Sequence, residues 1–156
     1  MNAMRKVLVV ALVAMLSSCA CALELPATVG EWRCVNEHVV PLVAEADGSE
    51  LGRVVYRDYV REAPAGSLQV ILTEGTGTGS LYVPEQRRGA KGVMPADAGY
   101  KIVDIGGRKG ILEQPPHLPA VLAVSFSEST VITIEASALD EEGIAEFAVN
   151  IITVLP

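Results

Sequence analysis

The hydrophobic period of this chain changes once, near Ser137, and that change sets the fold class it can reach. Before it, apolar residues come in short β-like runs. Arg53 to Val60 (RVVYRDYV) places Val55, Arg57 and Tyr59 on one face of a strand and Val54, Tyr56 and Asp58 on the other. In TVITIEA, Ile132, Ile134 and Ala136 alternate with Val131, Thr133 and Glu135, and the first set is expected to face the core. After Ser137 the period becomes helical. Ile144, Phe147, Ala148, Ile151 and Ile152 match the i, i+3, i+4, i+7, i+8 spacing of one apolar helix face. Asp140, Glu141 and Glu142 load the first turn with the negative charge that a helix N-terminus favours. Gly143 costs the helix about 1 kcal/mol relative to alanine, which five buried apolar side chains outweigh. Many strands and then one helix predict an α+β domain: an antiparallel β-sheet built from hairpins, with one C-terminal amphipathic helix packed on one face.

The runs before the switch are punctuated by turns. Trp32–Asn36 and Val39–Ala44 read as two short strands, and Pro41 demotes the second to a sheet edge. Ala46-Asp47-Gly48-Ser49 and Ala63-Pro64-Ala65-Gly66 are turns. Leu68–Thr73 (LQVILT) is a strong strand, paired with Arg53–Val60. Tyr100–Ile105 and Arg108–Gln114 flank Gly106-Gly107, the glycine pair that a tight primed turn needs. Val121–Phe126 and Val131–Ala136 make a third hairpin. Between Gly75 and Gly99 lies a long irregular stretch carrying Arg87, Arg88 and Lys91, with only Leu81-Tyr82-Val83 reading as a strand. Loops of that length tend to be functional.

The first residues read as an export signal. Arg5 and Lys6 precede Val7–Leu16, ten uncharged apolar residues. A spanning helix needs about 20, whereas a signal core is this short. Two processing sites come next. Leu16-Ser17-Ser18-Cys19 resembles the lipobox of bacterial lipoproteins, a class defined by its signal alone. The resemblance implies a signal peptide over 1–18 and a lipidated Cys19. It further implies a domain tethered to a membrane, on the periplasmic side of the outer membrane in a double-membraned cell. Ala20-Cys21-Ala22 instead fits the small-x-small pattern of ordinary cleavage before Leu23, giving a soluble periplasmic or secreted protein. On the lipobox reading, 19–29 is a lipidated N-terminus and linker containing Pro26, and 30–156 is a single domain. Lipidation also leaves Cys21 and Cys34 able to form a disulfide in an oxidising compartment. Without a bridge, Cys34 acts as a small apolar side chain.

Charge narrows the partners. Removing Arg5 and Lys6 from 12 basic residues leaves 10 against 19 acidic, a net −9. Nucleic-acid binders carry basic patches, so nucleic acid is excluded as a partner. The same charge opposes adhesion to anionic lipid, so attachment would come from the acyl chains.

Nothing in the chain carries recognisable catalytic chemistry. Gly75, Gly77 and Gly79 suggest a phosphate cradle, but Ser80 stands where both nucleotide motifs need a glycine. The next residues, Leu81-Tyr82-Val83-Pro84, are extended, so no helix N-terminus faces a phosphate. His38 and His117 are too few for a structural zinc site with Cys34, which needs four ligands. No G-x-S-x-G nucleophile elbow occurs. The expectation is a non-enzymatic envelope domain without cofactor or metal, binding a protein or peptide. The loop bearing Gly75, Gly77, Gly79, Arg87, Arg88 and Lys91 is its candidate contact surface, and an acidic patch its candidate partner. A carrier of a small molecule or lipid between sheet and helix is the alternative, and a secreted enzyme, whose paired carboxylates only the fold could bring together, ranks behind it.

Overall fold

The computed structural model describes residues 22–76, 100–114 and 117–156. Among these residues eight strands form one antiparallel open sheet: β1 (Thr28–Val29), β2 (Trp32–Val43), β3 (Glu50–Arg61), β4 (Gly66–Gly75), β5 (Tyr100–Ile105), β6 (Arg108–Glu113), β7 (Ala120–Ser127) and β8 (Thr130–Ala136). One helix, α1 (Glu141–Val154), comes after them. The architecture is therefore α+β and mostly sheet. Strand order across the sheet is β1-β2-β3-β4-β8-β7-β6-β5. Two meanders, β1–β4 and β5–β8, thus meet along the β4–β8 ladder, where Leu68 to Glu74 pair with Ala136 to Thr130.

Local chemistry explains the turns. Gly106 and Gly107 both have positive φ, at 60° and 83°, which turns β5 directly into β6. Asp47 accepts a hydrogen bond from the Ser49 amide at 2.9 Å and closes the β2–β3 connection. Gly52 has φ 154°, and a Cβ added there would lie 1.9 Å from the Glu74 carbonyl oxygen, so only glycine lets β3 approach β4 at this point.

The helix begins where the charge pattern places it. Asp140 caps it by accepting from the Gly143 amide at 2.9 Å, and Lys101 on β5 pairs with Glu141 in the first turn at 2.5 Å. Ile144, Phe147, Ala148 and Ile151 are buried. Phe147 meets Trp32 and Tyr59 edge-on, at centroid distances of 5.6 and 5.7 Å, an aromatic arrangement that adds to burial. Because α1 touches both end strands, β1 and β5, as well as β7 and β8, the sheet curls around it. Val55, Tyr59, Leu68, Val70, Leu72, Leu122, Val124, Ile132 and Ile134 complete the core on this inner face.

Two parts differ from the sequence reading. Trp32–Asn36 and Val39–Ala44 are one twelve-residue strand rather than two. The break suggested by Asn36 to His38 is absorbed as a one-residue bulge at Val35, where the register with β3 shifts. The expected linker Leu23–Val29 is part of the folded body: Leu23, Leu25 and Val29 are all buried in the core. Of the expected contact loop, Gly75 ends β4, its amide bonded to the Ser129 carbonyl at 2.8 Å. Gly77, Gly79, Leu81-Tyr82-Val83, Arg87, Arg88 and Lys91 lie outside the described residues, as do Cys19 and Cys21.

Candidate interaction surface

Two features of the sheet concern extended chain: an open strand edge, and a strap held against the inner face. The first is the outer edge of β2. β1 covers only its beginning, through Thr28–Arg33 and Val29–Trp32 pairing and the Cys34 amide bonded to the Ala27 carbonyl at 2.8 Å. Among the described residues, β2 pairs from Asn36 onward on one side only, with β3. Its other side has no partner strand among them, and such an edge is a template to which another strand adds. The side chains along it are exposed on both faces, Val39 at 45% and Val43 at 55%, with Leu51 at 55% on the neighbouring strand.

The edge is bounded. Val35 is bulged at one end, and at the other Pro41 lacks an N–H and stops a ladder. Between them Asn36–Val40 is a short window that is close to neutral. Glu37 is paired with Arg57, and Asn36 donates to Asp58 at 3.0 Å. Gln69 also donates to Asp58, at 2.8 Å. The Asn36 and Gln69 bonds hold the Asp58 carboxyl below its usual range. His38 leans on Tyr56, with ring centroids 6.3 Å apart.

The second feature lies on the inner face. Residues 23–27 leave the β2 edge and cross over β3 toward β4, held by side chains that sequence alternation put on the core side. Tyr59 Oη donates to the Pro26 carbonyl at 2.5 Å, and Arg57 donates to the Leu25 carbonyl. Arg53 donates to the Leu23 carbonyl at 2.9 Å. The Leu23 amide in turn donates to Glu74 at 2.8 Å, and Glu74 pairs with Arg53 at 2.5 Å. Leu23 and Leu25 are buried between these contacts, so the strap is read by hydrogen bonds and apolar pockets together.

These contacts tune the groups that make them. Burial depresses the Arg57 guanidinium, and its bonds with Glu37 and Tyr59 outweigh that, leaving it above its ordinary value. Burial pushes the Tyr59 phenol upward, with Arg57 pulling partly back. A raised phenol pKa means that the folded state favours the protonated form. Its contribution is whole below the unfolded value, about 10, and is lost as pH climbs through the folded one. The stability gap between wild type and Tyr59→Phe is expected to stay constant up to about pH 9 and to narrow as pH rises past about 10 in urea titrations. A gap that stays constant throughout would show that the phenol proton is not engaged.

The other sequence candidates stand apart from both features or only border them. Cys34 is a free, half-buried thiol 3.3 Å from the Asn36 carbonyl. His117 is exposed and lies far along the chain from Cys34 and His38. Among the described residues no three His, Cys, Asp or Glu side chains form a metal-binding group. Two depressions are lined by described residues: about 360 Å3 beside Arg33, Arg61 and Glu62, and about 390 Å3 beside Asp58, Gln69 and Glu135. Both are open at the surface. No helix among the described residues is long and apolar enough to cross a membrane.

The strap was the feature missed from sequence. Its signal was present: Leu23, Leu25, Ala27 and Val29 alternate as a strand does, and Arg53 and Arg57 sit on the apolar side of β3. Inward arginines require partners, and the strap carbonyls are those partners. Comparison with family models, curated proteins and solved structures gives no match.

Proposed function

We infer that this protein is an exported, non-enzymatic binding domain of the cell envelope, and that it takes up an extended segment of a protein partner along the Asn36–Val40 edge of β2. The observation that carries this reading is the charge-compensated edge bounded by a bulge and a proline, which has no partner strand among the described residues. Proteins blunt such edges with lysines, inward charges, prolines and bulges. Here the Val35 bulge and Pro41 blunt the two ends, which prevents indefinite strand stacking yet leaves room for one short strand between them. Export rests on the Met1–Leu16 signal pattern. From sequence, the route of attachment is either lipid on Cys19 or none, after cleavage at Ala22.

A carrier would need space between sheet and helix. Trp32, Tyr59, Leu122 and Phe147 fill that layer, which supports the edge reading over the carrier.

The test is photocrosslinking in intact cells. A photoreactive side chain at Val40, inside the window and exposed, is expected to give a discrete protein adduct, and one at Val149 on the exposed side of α1 none. Adding Val39→Lys, a charge of the kind that blocks edge pairing, should remove the Val40 adduct while leaving the fold intact by circular dichroism. An adduct that survives the lysine would rule out the edge.

A further inference from the structure

The strap ends in an arrangement that suits a free chain terminus better than an internal peptide. The Leu23 nitrogen lies 2.8 Å from Glu74 Oε1. The other carboxylate oxygen, Oε2, is 2.5 Å from Arg53 Nε, and Arg53 Nη2 returns to the Leu23 carbonyl at 2.9 Å. The four groups close a ring around one residue: nitrogen, carboxylate, guanidinium, carbonyl. Glu74 and Arg53 are largely shielded from water, with side chains 18% and 28% exposed. The Leu23 side chain is buried behind them, 9% exposed.

A backbone amide offers this carboxylate one N–H from a neutral donor. An α-ammonium offers three N–H donors and a full positive charge, which makes the contact an ion pair in a site largely shielded from water. Capture of a terminal amine is one of the recurring modes of peptide recognition, and here the acceptor is a carboxylate held by its paired guanidinium. The sequence supplies the matching cut, since Ala20-Cys21-Ala22 is a small-x-small pattern ending immediately before Leu23.

We propose that the mature protein begins at Leu23, and that the Glu74–Arg53 pair is a binding site for its α-ammonium. The reaction is hydrolysis of the Ala22–Leu23 amide by a signal peptidase that reads small residues one and three positions before the cut. Water adds hydroxyl to the Ala22 carbonyl carbon and hydrogen to the Leu23 nitrogen. The freed amine, with an ordinary pKa of about 7.7–8.0, takes up a further proton at neutral pH and docks on Glu74. Processing thereby locks the strap, and Cys19 and Cys21 leave with the signal.

The proposal rests on the export reading, and one measurement separates the two. The intact mass of the protein purified from its own cells should equal that of residues 23–156. A chain beginning at Cys19 and carrying acyl groups would keep export and overturn the proposal. A chain retaining Met1–Leu16 would overturn both. The amine site has its own readout. Ala22 is exposed, so a chain that keeps one extra alanine there has room to fold. That chain should melt about 3–5 °C below the mature one, and the difference should vanish in a Glu74→Gln background. An equal Tm for the two chains with Glu74 present would show that the carboxylate does not hold the terminus.

Discussion

Phe147→Ala is expected to bring the domain close to unfolding at room temperature. Phe147 is 2% exposed and is the side chain through which α1 meets both Trp32 and Tyr59. Large-to-small changes of this kind cost about 3–5 kcal/mol, through lost transfer energy and the cavity left behind. A domain of this size has only about 5–15 kcal/mol in total. The two aromatic contacts add to the loss, because each edge-on pair contributes about 0.5–1.5 kcal/mol beyond burial. Urea unfolding should show a lower midpoint with an unchanged slope if only stability falls. A loss below about 1 kcal/mol would mean that neighbouring side chains collapse into the space, and that the helix is not anchored through this ring.

Gly52→Ala should be nearly as damaging, for a different reason. The added methyl carbon would lie 1.9 Å from the Glu74 carbonyl oxygen and 2.8 Å from Gly75 Cα, both backbone atoms that cannot rotate away. The backbone at φ 154° is also one that L-residues rarely adopt. Strain and ladder disruption together predict a loss of roughly 2–4 kcal/mol. The damage falls on the end of β4 that carries Glu74. Hydrogen exchange should therefore show amides of Leu72–Gly75 losing protection before those of β7. Equal loss across the sheet would mean that the overlap is relieved elsewhere.

Much of the architecture was legible because it depends on periodicity. The apolar spacing from Ile144 to Ile152 survives Gly143, and the acidic first turn marks where α1 starts. Alternation in Val131–Ala136 and Arg53–Val60 marks strands whatever they pair with. Their order in the sheet was not legible. The β4–β8 ladder joins Leu68 to Ala136 and Glu74 to Thr130, and no local pattern encodes a pairing across so long a stretch of chain. The polar interruption at Asn36–His38 misled, by suggesting two strands where there is one, whereas Pro41 correctly marked an edge. The strap was missed because a short segment with a proline, between a signal-like apolar run and a tryptophan, resembles a connector. The clue lay well downstream, in two arginines, Arg53 and Arg57, on the side of β3 that should have been wholly apolar.

The order of the strands has a mechanical consequence. Each meander is knit by hairpins between neighbours in sequence, which close quickly and at little entropic cost. The sheet becomes continuous only where β4 meets β8, along seven residue pairs. That ladder is a zip between two preassembled halves, and α1 is the clasp laid across it: it comes after β8 in the chain, yet rests against Trp32 and Tyr59 of the other half. Pulled apart along the sheet, the molecule would part there first, and only after the clasp had lifted.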